Sequence, residues 1–291
     1  MSSKNSVTDF SPFCAPNIGS RNGGTCFDKY GLIRIIKNYN NKYPEHKIAY
    51  NARMSNQTLW NLIREGMANT CGDQEWCWLD QDFLEHDPVV QKYYKPRKPE
   101  EPTKWLSTGD IDNVLKQYEK KYNDFFFMGT VPIDFDEVID EYKNIDLCRM
   151  YQGGGTVSEN RPIRRYGFVF NLDPHDQRGS HWVCMFMNLI GPDKFIGFFD
   201  SYGNPPPKQV KQLIDKLRLQ AKKCLGIDIK YKCNTIQHQH KNTECGVYCL
   251  YFIYQCLQGL SFEDITETII LDDAVNKFRH FFFRPTIHYQ W

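Results

Sequence analysis

Three residue types that together can attack a carbonyl carbon stand at telling places in this chain: His181, Asp200 and Cys245. Cys245 closes a polar, histidine-rich run, Gln237-His238-Gln239-His240-Lys241-Asn242-Thr243-Glu244, and opens an apolar stretch from Val247 to Leu257. That change of composition predicts a buried helix starting at the cysteine. The first N–H groups of a helix have no intrahelical acceptor, and with the helix dipole they favour a thiolate over a thiol. A thiolate nucleophile needs a base within hydrogen-bond reach, and the base needs an orienting partner.

His181 and Asp200 are placed to meet that need. His181 begins one strand-like run, Trp182 to Leu189, and Asp200 follows the next, Lys194 to Phe199. Ile190-Gly191-Pro192-Asp193 between them reads as a turn. The midpoint of positions 181 and 200 falls between Ile190 and Gly191. In an antiparallel hairpin, residues equidistant from the turn face each other with Cβ atoms about 4.5–5.5 Å apart. The spacing therefore predicts a histidine and a carboxylate side by side. The backbone N–H groups of Cys245 and Gly246 would face an oxyanion above the sulfur, and Gln239 could add a side-chain amide donor. His238 and His240 have no carboxylate at a fixed spacing and read as loop residues.

Each residue also has an ordinary reading. Cys245 could be a buried thiol, Asp200 a turn residue, His181 a half-buried strand end and Gln239 a solvated amide. A metal site is the main competing chemistry, since Cys233, His238, His240, Cys245 and Cys249 are all zinc-ligand types. No Cys-x-x-Cys pair is present, however, and the spacing fits none of the usual fingers. Cys71 and Cys77 are a weaker candidate. No metal and no cofactor are expected.

The elements that must hold these residues can be read from pattern. Leu32-Ile33-Ile35-Ile36 and Leu59-Trp60-Leu62-Ile63 mark short helices in the first hundred residues, after a Ser/Asn/Gly/Pro-rich stretch of about 30 that reads as loose. Trp60, Trp76 and Trp78 read as core of that region or as contacts of a docking arm. Lys95-Pro96-Arg97-Lys98-Pro99-Glu100-Glu101-Pro102 has three prolines among charges and reads as a linker. The expected division is thus an N-terminal, mostly helical arm over 1–100 and a catalytic domain over 101–291. Beyond the linker, Asp110 is expected to cap a helix carrying Ile111, Val114, Leu115, Tyr118 and Tyr122. Asp134 with Glu137 reads as a capping box for a helix through Tyr142. Tyr166 to Phe170 and Ile227 to Cys233 read as strands, and Val210 to Leu225 as an amphipathic helix. Phe278, Phe281, Phe282 and Phe283 read as a packed closing segment. The pattern predicts the α+β class, with a small, mainly antiparallel sheet flanked by helices.

Composition bounds the function. The 291 residues carry 36 basic and 35 acidic side chains, so there is no general electrostatic case for nucleic acid or membrane. No apolar run approaches the roughly 18 residues that would span a bilayer. The eleven cysteines, odd in number and without a secretory signal, read as reduced thiols in a reducing compartment. Cys184, Cys249 and Cys256 read as core.

Taken in order, His181-Trp182, Asp200, Gln239 and Cys245-Gly246 resemble the ubiquitin-like-protein-specific cysteine proteases, the superfamily of SUMO proteases and the adenovirus protease. Tyr166-Gly167-Phe168-Val169-Phe170-Asn171-Leu172, Gly179-Ser180-His181-Trp182-Val183, Gly203-Asn204-Pro205-Pro206, Thr243-Glu244-Cys245-Gly246 and Lys277-Phe278-Arg279 narrow the likeness. They resemble the polyprotein-processing thiol proteases of large DNA viruses, of the African swine fever virus and mimivirus kind, chiefly over 105–291. The resemblance implies a papain-like core and a thiol endopeptidase with His181, Asp200 and Cys245 as its catalytic set and Gln239 at the oxyanion. It implies cleavage after Gly-Gly-type sites in a viral structural precursor, in the virion or the host-cytoplasmic viral factory. In SUMO proteases two tryptophans clamp the substrate glycines. Trp182 matches one, and Trp105 resembles the other, although two extra residues follow it. The alternatives are removal of ubiquitin or SUMO-like modifiers from host proteins, an effector-type acetyltransferase (for which no phosphate-cradling motif is visible), and a zinc-bearing interaction protein.

Overall fold

The apolar runs that follow Arg165, His181 and Lys194 become neighbouring strands. The computed structural model describes residues 13–18, 24–99, 101, 103–152 and 162–286. Two units are distinguished, one made of residues 1–100 with 280–291 and the other of Glu101–Arg279.

The Glu101–Arg279 unit is organised by one five-stranded sheet in the order β1 (Phe125–Val131), β2 (Arg165–Asn171), β3 (Trp182–Asn188), β4 (Phe195–Phe199) and β5 (Lys230–Cys233). β2–β3 and β3–β4 pair antiparallel, while β1–β2 and β4–β5 pair parallel. The sheet is therefore mixed, antiparallel at its centre and parallel at each edge. The central strands are buried along nearly their whole length, which is why they read as continuous apolar runs instead of alternating ones. One face, with Phe168, Phe170, Met185, Met187, Ile196 and Phe198, shares a core with Val210, Leu213, Ile214 and Leu217 of the amphipathic helix Lys208–Gln220. Against the other face lies the apolar helix Cys245–Gln258, where Phe199 stacks on Phe252 at 4.9 Å and Cys184 bonds the Cys249 carbonyl. Each such aliphatic or aromatic side chain contributes about 1.5–3 kcal/mol on burial.

Three local expectations change. The helix Thr108–Lys121 starts at Ser107, not Asp110: Ser107 Oγ accepts the Asp110 N–H, and Asp110 reaches back to the Ser107 N–H as the other half of a capping box. Asp134 makes no cap. Its carboxylate is taken by the His175 N–H and ring Nδ1 at 3.0 and 2.6 Å, and the segment after it splits into two single turns, Phe135–Val138 and Asp140–Lys143. The first strand, Phe125–Val131, has no counterpart among the expected elements.

The other unit is helical. Helix Lys29–Lys42 is capped by Asp28, helix Asn56–Gly66 by Ser55, and single turns follow at Ala68–Cys71, Glu75–Trp78 and Pro88–Gln91. Residues 1–12 and 19–23 of the stretch expected to be loose lie outside the described residues. The rest of it is anchored, with Thr25, Cys26 and Phe27 buried. Trp78 is core, and Trp60 and Trp76 pack against it. The proline-rich segment is no free tether in this unit, because Arg284 N–H bonds the Pro96 carbonyl and Lys98 N–H bonds the Arg284 carbonyl. Residues from His280 onward thus belong with this unit.

The reduced-thiol expectation is corrected. Cys14–Cys26 and Cys71–Cys77 are disulfides in the helical unit, and Cys148–Cys224 is one in the sheet unit, with Cα separations of 5.4, 5.5 and 5.9 Å. Those separations lie within the range a disulfide needs. Counting cysteines along a chain cannot reveal which approach each other in space.

Candidate active site

The hairpin that carries His181 and Asp200 is two residues out of the expected register. Cys184 pairs Phe199 and Asn188 pairs Phe195, so the residue opposite His181 is Tyr202, not Asp200. A slip of two keeps every side chain on its face, whereas a slip of one would turn it to the other. Asp200 is therefore the diagonal neighbour of His181 on the same face, and His181 Nε2 lies 2.7 Å from Asp200 Oδ1. The directly opposite Tyr202 lays its ring on the imidazole, with centroids 4.8 Å apart.

Cys245 also acts on the histidine ring, raising its pKa through hydrogen bonding and charge. With Nε2 engaged by Asp200, Nδ1 is the ring atom left for the sulfur. Both histidine and acid are buried. Burial pushes the His181 pKa down, but Asp200 and then Cys245 more than offset it and raise it to about 9. Burial pushes the Asp200 carboxyl up; the His181 contact, the Tyr202 N–H and Asn204 outweigh that and hold it below the usual carboxylate range. The raised pKa favours the imidazolium form on the Asp200 carboxylate at neutral pH, beside the Cys245 sulfur.

Cys245 is the first residue of its helix. Glu244 occupies the capping position but makes no side-chain cap, so the first-turn N–H groups are not taken by a capping side chain and can face an anion. Gly246 is packed so closely that an added Cβ would lie 3.0 Å from Leu106 Cβ and 3.3 Å from Trp182 Cδ1. Gln239 is fully buried. Its Oε1 lies 2.6 Å from Ser201 Oγ, and its Nε2 lies 2.8 Å from the Lys241 carbonyl. Trp182 donates its indole N–H to the Leu106 carbonyl at 2.9 Å. Trp105, more than a third exposed, and Trp182 line one cleft of about 510 Å³ together with Leu106, Val131, Pro132 and Arg178.

The Ulp1 protease family, C-terminal catalytic domain, matches residues 169–286, which include all of these residues except Trp105, Leu106, Val131 and Pro132. A protein of Acanthamoeba polyphaga mimivirus, named as a thiol protease, is 28% identical over 93% of this chain and 93% of its own. A protein of a Kenyan isolate of African swine fever virus, named as a SUMO-1 cysteine protease, is 29% identical over 71% of this chain and 78% of its own. The crystal structure of the African swine fever virus protease superposes with a TM-score of 0.69 at 25% identity, covering 95% of this chain and 97% of that one. Residues 169–286 thus form a Ulp1-like cysteine-protease domain.

Several side chains of this Ulp1-like site escaped the sequence reading. Asn234, just past β5, brackets the acid's backbone: its Oδ1 accepts the Asp200 N–H at 3.0 Å, and its Nδ2 donates to the Asp200 carbonyl at 2.7 Å. Asn204 donates to Asp200 Oδ2 at 2.9 Å. Gly203, at φ +78°, turns the chain where a Cβ would lie 3.0 Å from the Thr235 carbonyl oxygen. Asp272 accepts the N–H groups of His240 and Lys241 and so pins the loop before the cysteine. His238 is buried and takes the Ile270 N–H on Nδ1 while Nε2 faces the Thr266 carbonyl. It is a structural residue, and burial lowers its pKa. His240 is exposed. Among the described residues no cluster of three or more His, Cys, Asp or Glu could hold a metal ion. Burial pushes the thiols of Cys184, Cys249 and Cys256 up, which makes them poor nucleophiles.

Proposed function

We propose that this protease cuts viral structural precursors after a pair of small residues of the Gly-Gly type, in the virion or the host-cytoplasmic viral factory. The observation that carries the chemistry is the 2.7 Å contact of Asp200 with His181, whose pKa Cys245 raises as well. With the Cys245 proton held on His181, the sulfur attacks the substrate carbonyl carbon. The carbonyl oxygen becomes an oxyanion that the Cys245 N–H and the Gln239 amide stabilise. His181 then passes its proton to the leaving amine, and water, with His181 as base, releases the acyl group from the sulfur. Asp200 holds the ring and does not itself take a proton.

Three things support the substrate reading. The likeness to a viral thiol protease runs along nearly the whole chain. One cleft has both Trp105 and Trp182 in its lining. Trp182 is locked by its indole hydrogen bond, and a rigid wall favours residues without a bulky side chain. The second reading is removal of a ubiquitin-like modifier, favoured by the name of the African swine fever virus relative.

Wild type and Cys245→Ala should be incubated with the virus's structural precursors and, separately, with SUMO- and ubiquitin-type fluorogenic substrates. New N-termini directly after paired glycines, made only by wild type, are expected. Turnover of the modifiers with intact precursors would transfer the proposal to the second reading.

A further inference from the structure

Ser201 follows the acid directly and has no role in the steps above. It is almost fully buried. Its backbone carbonyl accepts the N–H groups of His238 at 2.8 Å and Gln239 at 2.9 Å. Its hydroxyl meets Gln239 Oε1. Residue 201 therefore grips the loop before Cys245 from the end of β4, through both main chain and side chain.

The sense of the Gln239 amide follows from the chemistry of its neighbours. The Lys241 carbonyl can only accept, so the atom 2.8 Å from it must be the amide nitrogen. A hydroxyl can donate or accept, and with Oε1 facing it Ser201 donates. Of the two hydrogens on Nε2, one is used by Lys241 and the other remains. If the amide turned over, its oxygen would face the Lys241 carbonyl, and the spare donor would be lost. Tyr202 fastens the same carbonyl at 3.0 Å while its ring rests on His181, so this amide network is continuous with the histidine.

We infer that Ser201 is a positioning residue: its hydroxyl holds the Gln239 amide with an N–H, not the oxygen, turned to the developing oxyanion. This rests on the reading of Gln239 as an oxyanion donor. Removal of the hydroxyl leaves Oε1 buried without a donor and frees the amide to turn.

The test is steady-state kinetics of the full chain on one fluorogenic peptide ending in Gly-Gly, for wild type, Ser201→Ala, Gln239→Ala and the double variant. Gln239→Ala should lower kcat about 100-fold, as loss of one oxyanion donor does. Ser201→Ala should lower kcat about 10-fold with KM unchanged, a fraction of that effect. The double variant should be no slower than Gln239→Ala alone, and Ser201→Thr should recover most of the rate. Multiplying losses in the double variant, or a loss carried by KM, would overturn the proposal, because Ser201 would then act through Asp200 or the loop as a whole. An undiminished kcat in Gln239→Ala would remove the oxyanion reading itself, and Ser201's role with it. Should Ser201→Ala not fold, Ser201→Cys keeps the volume, donates weakly, and carries the same comparison.

Discussion

Each unit of this protein withdraws an ion pair from water, and the two pairs serve different ends. In the sheet unit the pair is His181–Asp200, at the ends of buried strands. In the helical unit it is Arg284–Asp80, at 2.7 Å with both side chains almost fully buried. A histidine can give up and regain a proton near neutral pH, and the pKa of this one also responds to Cys245. An arginine keeps its charge and can only bind. The helical unit needs such binding. Its single-turn helices form few internal hydrogen bonds and cannot stand on propensity. Cross-links supplement its apolar core: two disulfides, the Arg284 pair, and the buried Glu75 carboxyl, which Thr25, the Cys26 N–H, Trp60 and Tyr94 all reach. The sheet unit has a continuous apolar core and can leave a titrating pair at its edge.

Breaking each pair should therefore fail in a different way. The largest effect is expected in catalysis: His181→Ala should lower kcat/KM by about 10³-fold or more, and Asp200→Ala should cost less, since it orients without transferring a proton. Equal losses in a peptide assay would show that the acid does more than orient. Next, Asp80→Ala should cost the helical unit about 3–5 kcal/mol, because it strands the Arg284 guanidinium. Hydrogen exchange of the Leu32–Tyr39 amides would register this as faster opening. Replacing both partners, Asp80→Leu with Arg284→Met, should recover much of the loss, and no recovery would mean the pair has a further role.

The smallest effect is a pH slope. The folded pKa of His181, about 9, lies above its unfolded value of roughly 6.5. Its contribution to stability is then complete below pH 6.5 and is lost as pH rises through 9. Thermal melting of the sheet unit should decline across that window and flatten in His181→Gln. Arg284 holds its proton throughout the same range, so the ion pair of the helical unit should add no such slope.

What could be read from the sequence follows the same division. Strands buried on both faces announce themselves as apolar runs, and the helix behind Cys245 does so by its abrupt polar-to-apolar start. The His181–Asp200 contact was legible because hairpin geometry tolerates a slip of two. The turn centre lies nearer Pro192 than expected, yet both side chains stay on one face. Contacts between distant segments left no such trace. Asn234 meets Asp200 from 34 positions away, Asp134 is claimed by His175 from 41, and Cys148 finds Cys224 across 76. In each case the partner is chosen by the packed fold. A local rule such as the capping box at Asp134 then loses to a stronger partner brought in from elsewhere.

The placement of Arg284 bears on how the chain is made. A ribosome delivers Asp80 early and Arg284 after the whole of Glu101–Arg279. At about 5–20 residues per second, the intervening stretch takes roughly 10–40 s to synthesise. Through that interval the helical arm holds an acidic group whose partner does not yet exist. The sheet unit, continuous in sequence, can mature as soon as its last strand and helices emerge. Arg284 follows the end of the sheet unit at Arg279 by about a second or less at that rate, so the two units become complete almost together.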